Sequence, residues 1–543
     1  VRAADLVIRG APVATFDVRR PRTEAVAVRG GVLAAVGDEQ EVSTLIGPGT
    51  RVIDLSPDHL VLPGFIDAHT HYVQGPLEAA GVNLSESDTL EEILAILRRV
   101  EPEDGVVAGG GWRSHIFPNG PERGLLDAIF DDTPVLLREI NSHSLWVNSA
   151  ALDAAGVTRD TPDPEPGYSM FVRDATGEPT GWVLEEAAMN TIREALAPFT
   201  PERARRELAA AQPRYAGAGL TGVFDAGIFL IDEQAGWEML VAMDERGEIG
   251  QRVVAAKAAL FDDDPVAALA EANRAFRSAN VRVDTLKIFV DGVPEAHTSA
   301  YLDPYDDRPA TGGPLATPEA DIRRWTDEAD AAGFACHFHA IGDRAVRVAL
   351  DAVESARDRR DSGIRHTVCH CDLIDPDDLP RFARLGVVLN TSGQWIASSP
   401  VDEVMQRRLG ERARRFYSLR SALAAGAIVT LGADYPASAY MSTLEPVVLI
   451  ESAVTRRLSG VTDGEPLPPA DEALTVTQAV RAMTTDAARQ LAVDDRTGTV
   501  EEGKSADLVV LGRDIFEIPP HEIAATPVVL TIMGGRITHE GGP

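Results

Sequence analysis

The chain has 543 residues, 44% apolar and 25% charged, a globular composition on a chain too long for one small core. Its 84 acidic side chains against 51 basic ones leave a formal net charge of −33, a surface that repels nucleic-acid phosphates and anionic lipid, so neither nucleic acid nor membrane is an expected partner. Three cysteines, Cys336, Cys369 and Cys371, give no disulfide framework and point to a reducing, cytoplasmic setting.

The opening "VRAADLVIRG" lacks the apolar run of a signal peptide, and no uncharged apolar run reaches membrane-spanning length. "ADLVIRG" (Ala4 to Gly10) is echoed near the other end by "ADLVVLG" (Ala506 to Gly512). "EAVAVRGGVLAAVG" and "VVLTIMGGRITHE" each set two apolar runs around a Gly-Gly pair, Gly30-Gly31 and Gly534-Gly535. That is a hairpin signal, because both centres of a tight primed turn need positive φ. Residues 1–58 and 491–543 are therefore expected to pair into one small β-sandwich domain.

Between them, residues 59–490 alternate short Val/Ile/Phe-rich runs with helical patterns. The runs are "LVLPGFIDAH", "TGVFDAG", "RVVAAKAALF", "TLKIFVDG", "GFACHFHAIGD", "IRHTVCHC", "GVVLNTSG" and "AIVTLGAD". "GDRAVRVALDAVESARD" has the apolar spacing of an amphipathic helix. About eight strand–helix repeats predict an α/β fold, a (β/α)8 TIM-type barrel. The first gap is too long for a crossover and predicts a subdomain inserted at about 75–215, over the barrel mouth.

Chemistry in such a barrel gathers at the C-terminal ends of its strands. The first run ends in His69 and His71, the fifth in His337 and His339, the sixth in His366 and His370, and the eighth in Asp434. Even spacing on a strand puts each histidine pair on one face. Three such pairs with an aspartate at strand ends predict a metal site, and imidazole with carboxylate suits zinc, iron or manganese. The fourth run carries Lys287, one of three lysines, with Lys257 and Lys504, in a chain whose other basic residues are arginine. On that stretch alone, a lysine snorkelling to the strand end is the plainer reading. Beside the histidines it suggests two metals, because a lysine amine can take up CO2 as a bridging carbamate, which arginine cannot do.

"PGFIDAHTH", "HAIGDRA", "RHTVCH", "GADYP" and the tail "GTVEEGKSADLVVL" resemble landmarks of the amidohydrolase superfamily. "GW" at Gly111-Trp112, "NSHSLWVNSAAL" and "LKIFVDG" resemble the branch that includes N-substituted formamide deformylases. The resemblance implies His69 and His71 as ligands of a buried metal, Lys287 as the carboxylated bridge and His339 and His370 as ligands of a second metal. Asp434 binds metal and handles the proton. His337 and His366 sit deeper on their strands. Two divalent ions, zinc above all, with CO2 as the lysine carbamate, are the cofactors implied.

The implied reaction is hydrolysis of a non-peptide C–N amide bond, in an N-substituted formamide or N-acyl compound. Hydroxide from metal-activated water attacks the carbonyl, and Asp434 passes the water's proton to the leaving nitrogen. Cyclic amides, lactones and deaminase-type substrates fit the same centre, and a non-catalytic binding protein is the alternative of another class. His143 is a candidate for contacting substrate or oxyanion. Trp112, His297 and Trp395 are candidates for substrate binding. Asp343 and Arg344 are candidates for orienting His339, and Asp67 is expected to be structural. A small-molecule amide and a second copy of the chain, as a homodimer, are the expected partners. The chain departs from the branch in having Cys369 where Glu is usual, Val293, Glu295 and His297 after "DG", and "GAD" for "GSD". These departures bear on substrate, because none removes a ligand.

Overall fold

The computed structural model describes residues 2–117, 119–260, 264–438 and 440–541. Eight parallel strands run in sequence order: β1 (Phe65–Thr70), β2 (Leu220–Asp225), β3 (Arg252–Ala258), β4 (Val281–Phe289), β5 (Ala335–Ala340), β6 (Thr367–His370), β7 (Val388–Ser392) and β8 (Ile428–Gly432). Phe261, at the end of the third predicted run, lies outside the described residues. The sheet curls so that β8 returns to β1. There Asp434 N donates to His69 O (2.6 Å) and His71 N to Tyr435 O (2.9 Å), which closes the C-terminal rim. This is the expected TIM-type barrel. At its floor Gln490, from the helix Thr485–Gln490, donates to Ala68 O (2.7 Å) and accepts from Thr430 (2.5 Å).

The crossover helices form for the reason the spacing predicts. Asp343–Arg359 follows β5 and buries Ala345, Val346, Ala349, Leu350, Val353 and Ala356, three or four residues apart. Register matters for the site. In β4 and β5, Lys287 lies opposite His337 and Phe289 opposite His339, and in β6 Cys369 lies opposite His339.

A second sheet joins both chain ends. Leu60–Pro63 pairs antiparallel with Leu508–Leu511, linking the strands of residues 6–54 to those of 528–540. Leu6, Ile8, Val28 and Leu33 share one core with Leu508, Val510, Leu530 and Ile532. The Gly-Gly pairs turn both hairpins with φ between 57° and 80°. The run read as one strand, "LVLPGFIDAH", breaks at Gly64. Leu60–Pro63 belongs to the terminal sheet and Phe65–Thr70 to the barrel, so by pairing the division falls at Gly64, not at residue 59.

A third sheet of six strands, from Val82–Asn83 to Pro179–Leu184, lies wholly between β1 and β2. Its own core contains Trp112, Leu137 and Trp146.

Candidate metal centre

The rim of the barrel opens into a cavity lined by His69, His71, His143, Lys287, His339, His370 and Asp434 among the described residues. All six sequence-predicted ligands meet there, on five strand ends. His69 Nε2 lies 3.2 Å from Asp434 Oδ1, and His71 Nε2 lies 3.4 Å from the same oxygen. His370 Nδ1 is 3.9 Å from Asp434 Oδ2, and the rings of His339 and His370 are 4.4 Å apart. Lys287 is buried, with its Nζ 3.6 Å from Cys369 Sγ and 5.2 Å from the Phe289 ring centre. Neither neighbour neutralises an ammonium.

Several of these side chains are aimed from behind. His71 Nδ1 donates to Gly227 O (3.1 Å), leaving Nε2 for the cavity. His69 Nδ1 shares a proton with His337 Nε2 (2.8 Å), and His337 stacks on Phe224 (4.5 Å). His339 Nδ1 is 3.4 Å from Asp291 Oδ1. Asp291 is fixed by three backbone donors, from Ala300, Ile341 and Gly342, at 2.9–3.0 Å. Asp343 accepts from Leu302 N (2.9 Å) and Arg344 reaches Gly313 O (3.4 Å), so neither orients His339, one of two equal readings of that pair in the sequence. Asp67 accepts from the backbone of Ala433 (2.9 Å) and His69 (3.2 Å).

Three expectations about facing residues are corrected. His366 does not share a face with His370. It turns to Asp330 (3.1 Å) on the helix Glu319–Ala332 and accepts from Cys336 N (3.0 Å). His370 enters the cavity because its backbone is left-handed, φ 73°, which breaks strand alternation. Trp112 is no cavity wall. It lies in the core of the inserted sheet and donates to Leu137 O (3.0 Å). His297 is held off by Asp307 (3.1 Å) and packs on Tyr305. Trp395 does reach the centre, stacked on His370 at 5.3 Å.

Burial pushes His69 down to about 4, and pushes His339 and His370 well below the ordinary range. Burial alone would raise Asp434, but the neighbouring imidazoles, His69 first, hold it well below the usual carboxylate range. Neutral imidazoles around an ionised carboxylate are the donor set a divalent cation needs. The donor atoms of His69, His370 and Asp434 lie within 4.8 Å of one another. Nε2 of His339, whose Nδ1 faces Asp291, and Nδ1 of His370 are buried with no hydrogen-bond partner, a cost normally met by a ligand. A deeper trio, His69, His337 and Cys369, is equally compact. There two of the nitrogens already satisfy each other, so the unmet donors belong to the rim. The residues fit a divalent metal.

His143 enters from the inserted segment, its ring 5.1 Å from that of His339. Its Nδ1 pairs with Glu185 Oε2 (2.7 Å), and Glu185 Oε1 accepts from Thr298. Burial lowers the His143 pKa, but Glu185 outweighs it and the net shift is upward. Gly292 is required here, because a side-chain carbon would collide with Glu185 and Thr298. Glu185 and Asp291 were both missed at the sequence level. Only their contacts mark them.

The chain is 30% identical over 568 residues to the N-substituted formamide deformylase of Arthrobacter pascens, covering 99% of this chain and 98% of that one. It is 27% identical over 544 residues to LONG AFTER FAR-RED 3 of Arabidopsis thaliana, covering 98% and 91%. Its fold is similar to that of an uncharacterized metal-dependent hydrolase from Pyrococcus horikoshii, with a TM-score of 0.74 at 22% identity and 95% and 99% of the two chains covered. The amidohydrolase family matches residues 51–539. With that match spanning the barrel and most of the terminal sheet, the chain belongs to the amidohydrolase family, as a metal-dependent enzyme that hydrolyses C–N bonds.

Proposed function

We propose that the rim holds two divalent ions, zinc for preference, joined by a carbamate on Lys287, and that the enzyme hydrolyses an acyclic amide, an N-substituted formamide or N-acyl compound. His69 and His71 would hold one ion and His339 and His370 the other, with Asp434 at the shared edge. The observation that carries this reading is the set of buried, unpartnered nitrogens on His339 and His370 facing an ionised Asp434. A relative named N-substituted formamide deformylase supports the substrate class.

A bound divalent ion supplies an acidified water and an electrophilic partner for a carbonyl oxygen. The protein does the rest. Asp434 receives the water's proton and delivers it to the departing nitrogen, which an amide requires because an amine anion is a poor leaving group. Glu185 fixes the His143 ring through Nδ1, leaving Nε2 to donate to the carbonyl oxygen as charge develops. Gln74, Phe229 and Phe289 also line the cavity and exclude bulk water.

A panel of N-benzyl formamides, N-acyl amino acids and cyclic imides, assayed for released amine, tests the substrate class. Turnover of the acyclic members is expected, and turnover confined to the cyclic ones would overturn it.

A further inference from the structure

A second cavity adjoins the first. The two share Asn141 as a lining residue, and Trp395, which lines the second, stacks on His370, which lines the first. Its walls include the aromatic rings of Trp395, Phe416 and Tyr417. Its ionisable lining side chains, apart from the tyrosine, are acids, Glu295, Asp372 and Asp402, and no arginine, lysine or histidine lines it among the described residues. Two arginines bond to the backbone of lining residues: Arg408 donates to Glu295 O (3.0 Å) and also pairs with Asp307, and Arg456 donates to Phe416 O (2.9 Å) and Leu467 O (2.8 Å).

Asp402 is satisfied by Ser398 Oγ (2.8 Å) and Ser399 N (3.1 Å). Asp372 is not. It is 4% exposed, and its Oδ1 has no hydrogen-bond partner. Trp395 Nε1 and Asn141 Nδ2 are likewise unpartnered, in residues 8% and 4% exposed. Unmet buried polar atoms around a cavity imply a ligand that meets them; of these three, Asp372 Oδ1 is the acceptor that a donor-bearing nitrogen would meet, while the two N–H donors call for an acceptor elsewhere on the ligand. Burial pushes the Asp372 and Glu295 carboxyls up, and a positively charged nitrogen seated beside them would favour their ionised form, adding ion pairing to cation–π attraction from the aromatic faces.

We propose that this second cavity binds the far end of the substrate, an aryl or alkyl group ending in an ammonium. The inference rests on the reading of the chain as an amide hydrolase, and it assigns Asp372 and Glu295 to cation recognition and Trp395 to both cavities.

The test compares kcat/KM for matched N-formyl benzylamines that differ only in a distal ammonium, neutral methyl or carboxylate group. The ammonium substrate should exceed the neutral one by about tenfold or more, with the carboxylate poorest. In Asp372→Asn and in Glu295→Gln the ratio should fall to within about threefold. The ratio is taken within one preparation, so partial misfolding cancels, and either variant suffices if the other does not fold. An active wild type with no cation preference, or with preference for the carboxylate, overturns the inference and leaves amide hydrolysis standing. If no amide is turned over, it is the amide reading that fails. Calorimetric titration with benzyltrimethylammonium then decides the cavity alone: saturable binding weakened by Asp372→Asn supports it, and absence of binding overturns it.

Discussion

The side-chain nitrogen of Lys287 lies 3.6 Å from the sulfur of Cys369, and both residues are buried. Burial pushes the Cys369 thiol up to about 12, so the sulfur stays protonated and offers the lysine no counter-charge. A buried ammonium in that setting is costly. Under the proposed reading, conversion to a carbamate held by cations would remove the cost. Lys287→Ala is therefore expected to lose roughly a hundredfold or more in kcat. Added short-chain carboxylate with bicarbonate should restore part of it, and wild-type activity in the variant would contradict the bridge.

The same burial makes a prediction about reactivity. Cys336, Cys369 and Cys371 are all buried with raised pKa, so all three thiols should resist a thiolate-specific reagent such as DTNB in the native protein and react after denaturation. Fast labelling of any one without unfolding would contradict the packing.

Asp434 faces three imidazoles and is held ionised. Removing its basicity while keeping its shape should slow the proton transfer more than it weakens binding. Asp434→Asn is expected to reduce kcat by roughly 10²–10⁴-fold with a much smaller change in KM. A change confined to KM would remove the proton role.

Asp330 anchors the outer wall through Arg357 (2.7 Å), His366 (3.1 Å) and Ser362 (2.5 Å). Burial would raise its pKa, but these partners outweigh burial and hold it well below the usual carboxylate range. A depressed folded pKa gives stability that is fully present above the unfolded value, about 3.9, and is lost as pH falls below it. Asp330→Ala should cost about 3–5 kcal/mol at neutral pH and flatten the acid-side decline. Thermal midpoints at about pH 7 and pH 3 check this, and an acid-side slope identical to wild type would refute it.

The barrel, the paired chain ends and the inserted segment were legible in the sequence because each has a local signature. Strand–helix alternation, Gly-Gly hairpins and one overlong gap need no tertiary knowledge. His69, His71 and His339 were legible for the same reason, as even spacing at strand ends. His370 does line the cavity, but the premise that put it there fails, since its left-handed backbone, not alternation with His366, turns it inward. Asp291 and Glu185 were not legible, because their partners lie 48 and 42 residues away and only folding joins them. Trp112 misled because aromatic bulk fills cores as readily as pocket walls, and here it fills the core of the inserted sheet.

Metal content set against activity tests the centre most directly. Protein purified without chelator should carry up to two divalent ions per chain, lose activity on chelation and regain it when zinc, iron or manganese is returned, and Lys287→Ala should hold fewer ions than wild type. Full turnover by metal-free protein, or full metal loading in Lys287→Ala with the native lysine found unmodified, would contradict it.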